Sequence, residues 1–269
     1  MSWVYDLPNW LFFLLCTGTT ITFAGAGLLI TRPWVKRHAD KHAQQNDLVS
    51  YFLGASGVIY GIALGLVAAG VWNNFQTLSS QVDQEAAITA AIYQDIGAYP
   101  SPQRDTLQGK LRAYVQAVIN QDWPLLRQGR MPSASTQCLY QLKRQLFAFV
   151  PSDVGLRLIH EQALDQYNEL AKIRRARLQG SDSSIPAILW WVIILGAAIN
   201  LVVTWFFVSD HVGYHLLLTI LLALLLGALL FLTAAMDNPF RGGFSIGTDS
   251  FKLILPPGPT LVHSTPNHL

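Results

Sequence analysis

DLVSYFLGASGVIYGIALGLVAAGVW, residues 47–72, is the stretch from which the rest of the chain can be read. From Leu48 to Phe75 there is no Asp, Glu, Lys, Arg or His. A helix needs about 20 apolar residues to cross the hydrocarbon core of a bilayer, so this run is long enough to span. Gly57, Gly61 and Gly65 recur at a spacing of four, and Gly54 and Ala69 extend nearly the same face. In lipid no hydrophobic force joins helices, and small residues at this spacing let backbones pack closely instead. One reading is ordinary packing within a single subunit. The other is a glycine face packed around a pore, with Ser56 and Tyr60 near the lumen.

Three further runs free of ionisable side chains reach spanning length: Leu11–Thr31, Ile185–Ser209 and Leu216–Met236. The composition agrees, with 51% hydrophobic and only 13% charged residues, against about 25% charged in an average soluble domain. The expected fold is an all-α membrane protein with four transmembrane helices in a 2+2 layout. Residues 1–75 hold the first pair and a short basic loop, 76–184 an extramembrane helical bundle, 185–236 a transmembrane hairpin, and 237–269 a tail. Trp3, Tyr5 and Trp10 precede the first run, and Trp34, Trp72, Trp190, Trp191, Trp205 and Tyr214 lie near other span ends, where amphipathic rings favour the interface. The first run lacks a basic n-region and reads as a retained helix. A net charge of +2 excludes a strongly basic nucleic-acid binder, and two cysteines, Cys16 and Cys138, exclude a disulfide framework.

Residues 76–184 are not a linker. Ile88, Ile92 and Ile96 continue a helical stripe out of the second span. Leu107, Leu111, Tyr114, Val115, Val118 and Ile119 form a second stripe, Leu139, Leu142, Leu146 and Val150 a third, and Leu156, Ile159, Ala163, Tyr167, Leu170 and Ile173 a fourth. Pro100, Pro102, Pro124, Pro132 and Pro151 separate them, and Ser152 or Asp153 can cap the last helix. Such stripes must be buried, against one another or against another subunit.

The first connecting loop carries Arg32, Lys36, Arg37 and Lys41, whereas the other short segments carry only Arg241 and Lys252. That count places the loop in the cytoplasm and the central domain outside. Lys172, Arg174, Arg175 and Arg177, close to the third span, vote the other way. No span interior holds an ionisable group, which counts against proton relays and voltage sensing. Thr17, Thr19, Thr20 and Thr22 can bond the preceding turn, Asn200 points to a bond between helices, and the leucine-rich fourth span reads as lipid-facing. There is no Walker loop, GxSxG or CxxC, and nothing pairs a nucleophile with a base; no enzyme, metal or cofactor is expected. His38 and His42 lack a third ligand at a recognisable spacing, and His263 and His268 are weaker still as a metal pair. Asp83, Glu85 and Asp95 follow the second span and could ring a pore mouth or simply face solvent.

GVIYGIALGLVAAGVWNNF followed by QEAAITAAIY, and a last span ending in AMDNPFRGGFSI with its Asp237, Pro239, Phe240, Gly242 group, resemble the bestrophin-like domain family found in many bacterial membrane proteins. The resemblance runs from WLFFLL near the start to SFKLIL. It implies a distant likeness to bestrophins, which are pentameric anion channels gated by calcium, and a cytoplasmic central domain. The chain differs from them in lacking an acidic cluster of calcium-clasp type and in carrying glycines where the bestrophin neck is lined by phenylalanine. Beside that likeness, Pro239 and Gly242–Gly243 can simply stop the last helix, with Asp237 pairing to Arg241 or to a neighbouring helix. The function expected is a homo-oligomeric ion channel in the bacterial inner membrane, anion-type by resemblance. Gly54, Gly57, Gly61 and Gly65 would permit the packing, Tyr60 would narrow the path and Glu85 would sit at the mouth. Its partners would be the lipid bilayer, further copies of itself and small ions. The alternative is a non-conducting scaffold or sensor whose outer helices bind a partner.

Overall fold

The computed structural model describes residues 7–38, 42–181 and 183–254, with the side chains of residues 42 and 43 left aside. Trp3, Tyr5, the His42 side chain and the tail histidines His263 and His268 lie outside the described residues. The described residues are helical, without strands: α1 (Asn9–His38), α2 (His42–Ile96), α3 (Gln103–Ala117), a π-helical turn (Val118–Asp122), α4 (Trp123–Arg127), α5 (Ala134–Ala148), α6 (Val154–Gly180), α7 (Ala187–Thr204), α8 (Val212–Met236) and α9 (Asp249–Lys252). By length and composition α1, α2, α7 and α8 can each cross a membrane. The 18 residues of α7 give about 27 Å at 1.5 Å per residue. The chain divides into two compact units, Met1–Thr77 with Ser183–Ser245 and Leu78–Asp182 with Ile246–Leu269; α2 contributes to both.

In the first unit α1, α7, α8 and the early part of α2 surround a core of Ala24, Tyr60, Leu64, Ile193, Ala197, Leu201, Ala223 and Leu226. Small residues let the helices approach. A Cβ on Gly227 would stand 2.9 Å from the Thr17 Cα, and one on Gly196 2.4 Å from the Tyr60 ring. The Thr20 hydroxyl donates to the Ala223 carbonyl at 2.9 Å, and Phe231 packs edge-on against Phe12 and Phe13. The fourth span is therefore not simply lipid-facing: Ala223, Leu226 and Gly227 are buried while Leu217, Leu218, Leu221 and Leu225 stay exposed. On α1 the hydroxyls of Thr17 and Thr19 are satisfied locally, by the Phe13 and Leu15 carbonyls. Asn200 accepts from Ser56 of α2 at 3.1 Å, the interhelical bond its polarity suggests. Trp205, half-buried, lies against α1. Its Nε1 donates to the Ala24 carbonyl and its ring fills the space over Gly27.

In the second unit the expected stripes are the core. Leu78, Val82, Ile92 and Ile96 of α2 are buried, as are Leu107, Leu111 and Tyr114 of α3, Leu139, Leu142 and Leu146 of α5, and Ala163, Tyr167 and Leu170 of α6. Asp153 caps α6, accepting from Leu156 N at 2.9 Å. Val150 departs from its stripe because α5 ends at Ala148, which leaves Val150 83% exposed. Pro124 does not break the helix it enters. The chain widens into the π turn, where Trp123 N–H reaches back to the Val118 carbonyl, and Pro124 then falls in the first turn of α4, where its missing N–H has no intrahelical role. The segment after Ile246 is less irregular than its glycines suggest: Ile246 and Phe251 are buried, Trp123 Nε1 donates to the Ile246 carbonyl at 3.1 Å, and Ser250 donates to Asp83 at 2.5 Å.

Candidate functional site

The spanning part of α2 has two unlike faces. Tyr60, Leu64 and Val71 are buried against the unit, while Val58, Ile62, Leu66 and Ala69 are exposed. The glycines divide between the faces, because a step of four residues on an α-helix turns about 40° beyond a full circle. A row spaced by four therefore drifts around the helix. Gly57 is turned toward α7, where an added Cβ would lie 3.7 Å from Asn200 Oδ1, whereas Gly54, Gly61 and Gly65 have nothing within 4 Å among the described residues. Tyr60 is 9% exposed, with its ring against Gly196. The structure thus places Tyr60 and Ser56 in the packing between α2 and α7, on the side of the helix away from its open face, and not where either would narrow a path along that face.

Glu85 is likewise not a solvated acid. Its side chain has 0% exposure, and Arg177 of α6 grips both carboxylate oxygens, Nε on Oε2 at 2.6 Å and Nη2 on Oε1 at 3.1 Å. Tyr114 of α3 donates to Oε1 at 2.5 Å, and Trp123 stacks its ring 5.2 Å from the guanidinium carbon. A carboxylate enclosed in this way within one chain cannot line a water-filled mouth. Burial first, and then the Glu85 charge, push the Tyr114 phenol well above its ordinary value, so it stays a donor. Burial opposes the Arg177 charge, but Glu85 outweighs it and holds the guanidinium protonated. A second set adjoins: buried Asp122 accepts from the Ser135 hydroxyl and N–H, and Arg174 donates to Ser135 at 2.9 Å and to Thr136 at 2.7 Å.

The Asp237–Gly242 group works as a corner. Asp237 accepts from Ile185 N at 2.6 Å and from Trp190 Nε1 at 3.3 Å, fastening the end of α8 to the start of α7. Pro239 and Phe240 are buried. Gly242 has φ 79°, a left-handed conformation that costs glycine little. Among the described residues no three His, Cys, Asp or Glu gather as a cation site.

A family model described as the Bestrophin-like domain matches residues 18–251. The chain belongs to the Bestrophin-like family. Two solved structures share its fold. One is a bacterial bestrophin homolog from Klebsiella pneumoniae, with a TM-score of 0.70 and 10% identity over 90% of this chain and 96% of that one. The other is a crystal structure described only as a membrane protein variant, with a TM-score of 0.69 and 9% identity over 90% of this chain and 95% of that one. No curated protein matches. In this Bestrophin-like chain the Asp237–Gly242 group is thus a structural corner, and the helix that continues beyond the apolar part of α2 delivers Glu85 to a buried partner.

The polar end of the first unit escaped sequence reasoning. Asn46 clasps Val208 through both backbone groups, Gln45 donates to the Phe206 carbonyl, and Arg32 donates to the carbonyls of Ser209 and Asp210. Only the run QQND at the head of a long helix hinted at it.

Two outcomes follow from this geometry. Arg177→Met leaves Glu85 buried without its counter-charge and should cost about 3–5 kcal/mol. The double variant Glu85→Leu/Arg177→Met should melt closer to the wild type than Arg177→Met alone, as read by thermal unfolding in detergent. Asp237→Ala should cost about 1–3 kcal/mol by stranding the Ile185 N–H, and Asp237→Asn, which keeps one acceptor oxygen, should lose less.

Proposed function

We propose that the chain is one subunit of a homo-oligomeric ion channel in the bacterial inner membrane, with its spans in a 2+2 layout and the open face of α2 toward the other copies. The observation that carries this reading is the division of α2: a packed side held by Tyr60 and Leu64, and an uncovered side of Gly54, Val58, Gly61, Ile62, Gly65 and Ala69. Small residues on an uncovered spanning face suit close approach of identical helices. The wall so formed is apolar and uncharged, a lining that gates by dewetting rather than by a ring of charges. Membership of the Bestrophin-like family and the shared fold support a channel, and the likeness to bestrophins supports anions as its cargo. A second reading, a non-conducting scaffold, has in its favour the exposed Phe147, Val150, Val154 and Leu158 at the junction of α5 and α6.

Reconstitution separates the two. Purified wild type in liposomes should pass chloride in preference to sodium, and Gly61→Leu should abolish or sharply alter that flux while the assembly keeps its size. A correctly assembled wild type that passes no ion across a range of pH and calcium concentrations overturns the channel and leaves the scaffold. The loop charges predict the side of the membrane. In a chain with Cys16 and Cys138 replaced by serine, a Met131→Cys probe on the exposed surface of the second unit should react with a membrane-impermeant maleimide in cells with a permeabilised outer membrane. Reaction only after the inner membrane is opened would place that unit in the cytoplasm, as the bestrophin likeness implies.

A further inference from the structure

We propose that the first unit holds one anionic phospholipid in the cavity at the end bearing the α1–α2 and α7–α8 connections. The cavity, of about 430 Å³, lies between the start of α2, the end of α7 and the start of α8, and its walls include Leu53, Ser209, Thr219 and Leu222. A diacyl phospholipid is larger than this, so the cavity takes its ester region and the head of one acyl chain and leaves the rest in the surrounding bilayer. The decisive group is Thr219. It is 2% exposed, and its hydroxyl has no hydrogen-bond partner among the described residues. Other threonines of these helices are satisfied by the preceding turn, Thr17, Thr19 and Thr20 on α1 and Thr233 further along α8 itself. A hydroxyl buried in a leucine-rich helix and left unpaired calls for an acceptor from outside the chain.

The groups are ordered in depth as a phospholipid is. At the mouth the Arg32 guanidinium is held by the Ser209 and Asp210 carbonyls at 3.1 and 3.3 Å, and Ser209 is itself a wall of the cavity. The sequence of these two connections carries Arg32, Lys36, Arg37 and Lys41 against Asp40, Asp47 and Asp210, and Lys36 pairs with Asp210 at 3.5 Å, so a phosphate meets a small net positive charge. Thr219 lies seven residues into α8, about 10 Å deeper along the helix, where an acyl ester carbonyl would accept from its hydroxyl. Leu222 and Leu53 line the cavity with apolar surface suited to the acyl chain. Tyr214, 68% exposed at the rim, is an amphipathic ring of the kind found at the headgroup level. This inference stands whether or not the assembly conducts.

Native mass spectrometry of the purified chain with dioleoyl-phosphatidylglycerol, its diether analogue and dioleoyl-phosphatidylcholine tests each contact. The wild type should retain one phosphatidylglycerol per subunit in preference to phosphatidylcholine. Thr219→Val keeps the side-chain shape and removes an unpaired polar group, so it should fold with an undiminished melting temperature. It should weaken the ester lipid about fivefold, the worth of one hydrogen bond, and leave the diether lipid, which has no ester carbonyl, unchanged. Arg32→Gln should erase the preference for phosphatidylglycerol, and Arg32→Lys should restore it. Equal retention of both diester lipids by the wild type, or equal weakening of ester and diether lipids by Thr219→Val, overturns the proposal.

Discussion

The pairing of Glu85 with Arg177 is the interaction on which the helical unit depends. A carboxylate with no exposed surface is costly to bury without a counter-charge, and here both of its oxygens are held by one guanidinium. The pair joins α2 to α6, Tyr114 adds α3, and the neighbouring Asp122, Ser135 and Arg174 add the π turn, α5 and a second turn of α6. Desolvating two charges costs much of what their attraction returns, so such a pair adds little net stability, yet losing one partner is expensive. Its weight therefore falls on register. Helices carrying only leucine stripes can slide by a turn and still bury apolar surface; these cannot slide without stranding a charge.

The membrane unit is held by a different economy. Lipid offers its helices no hydrophobic reward for meeting and no partner for a stray polar group. Contact comes from shape, glycine against ring at Gly196 and Tyr60 and at Gly27 and Trp205. Several hydroxyls find acceptors one turn back on their own helix, as Thr17 does on Phe13, or across an interface, as Ser56 does on Asn200. At the loop end, side chains of α1 and α2 instead hold backbone groups of the α7–α8 connection, which fixes a turn that its own sequence would leave loose.

Features whose cause is local were legible in the sequence: the apolar runs, the stripes of α3, α5 and α6, the Asp153 cap, the threonines bonded within α1. Features whose cause is a distant partner were not. Glu85 and Arg177 are 92 positions apart, and Asp237 and Ile185 are 52 apart; a charge near a span end reads the same whether it faces water or a buried guanidinium. The glycine-face reading sets Tyr60 on a path through a pore, whereas its ring fills the room that Gly196 of α7 leaves, far along the chain from any local signal. The drift of a four-residue row was calculable from helix geometry alone and separates Gly57 from Gly54, Gly61 and Gly65. The cavity beside Thr219 is a gap among three helices, and no local pattern announces a gap.

The two populations of glycine carry an evolutionary consequence. Where Gly196 faces Tyr60 and Gly27 faces Trp205, the volumes are complementary, so relatives that enlarge one side must shrink the other, and sizes at those positions should covary. Gly54, Gly61 and Gly65 have no complementary position among the described residues of their own chain. Covariation of these glycines with residues that the described fold keeps far from them would mark the contact between copies in the proposed assembly, drawn from sequences alone.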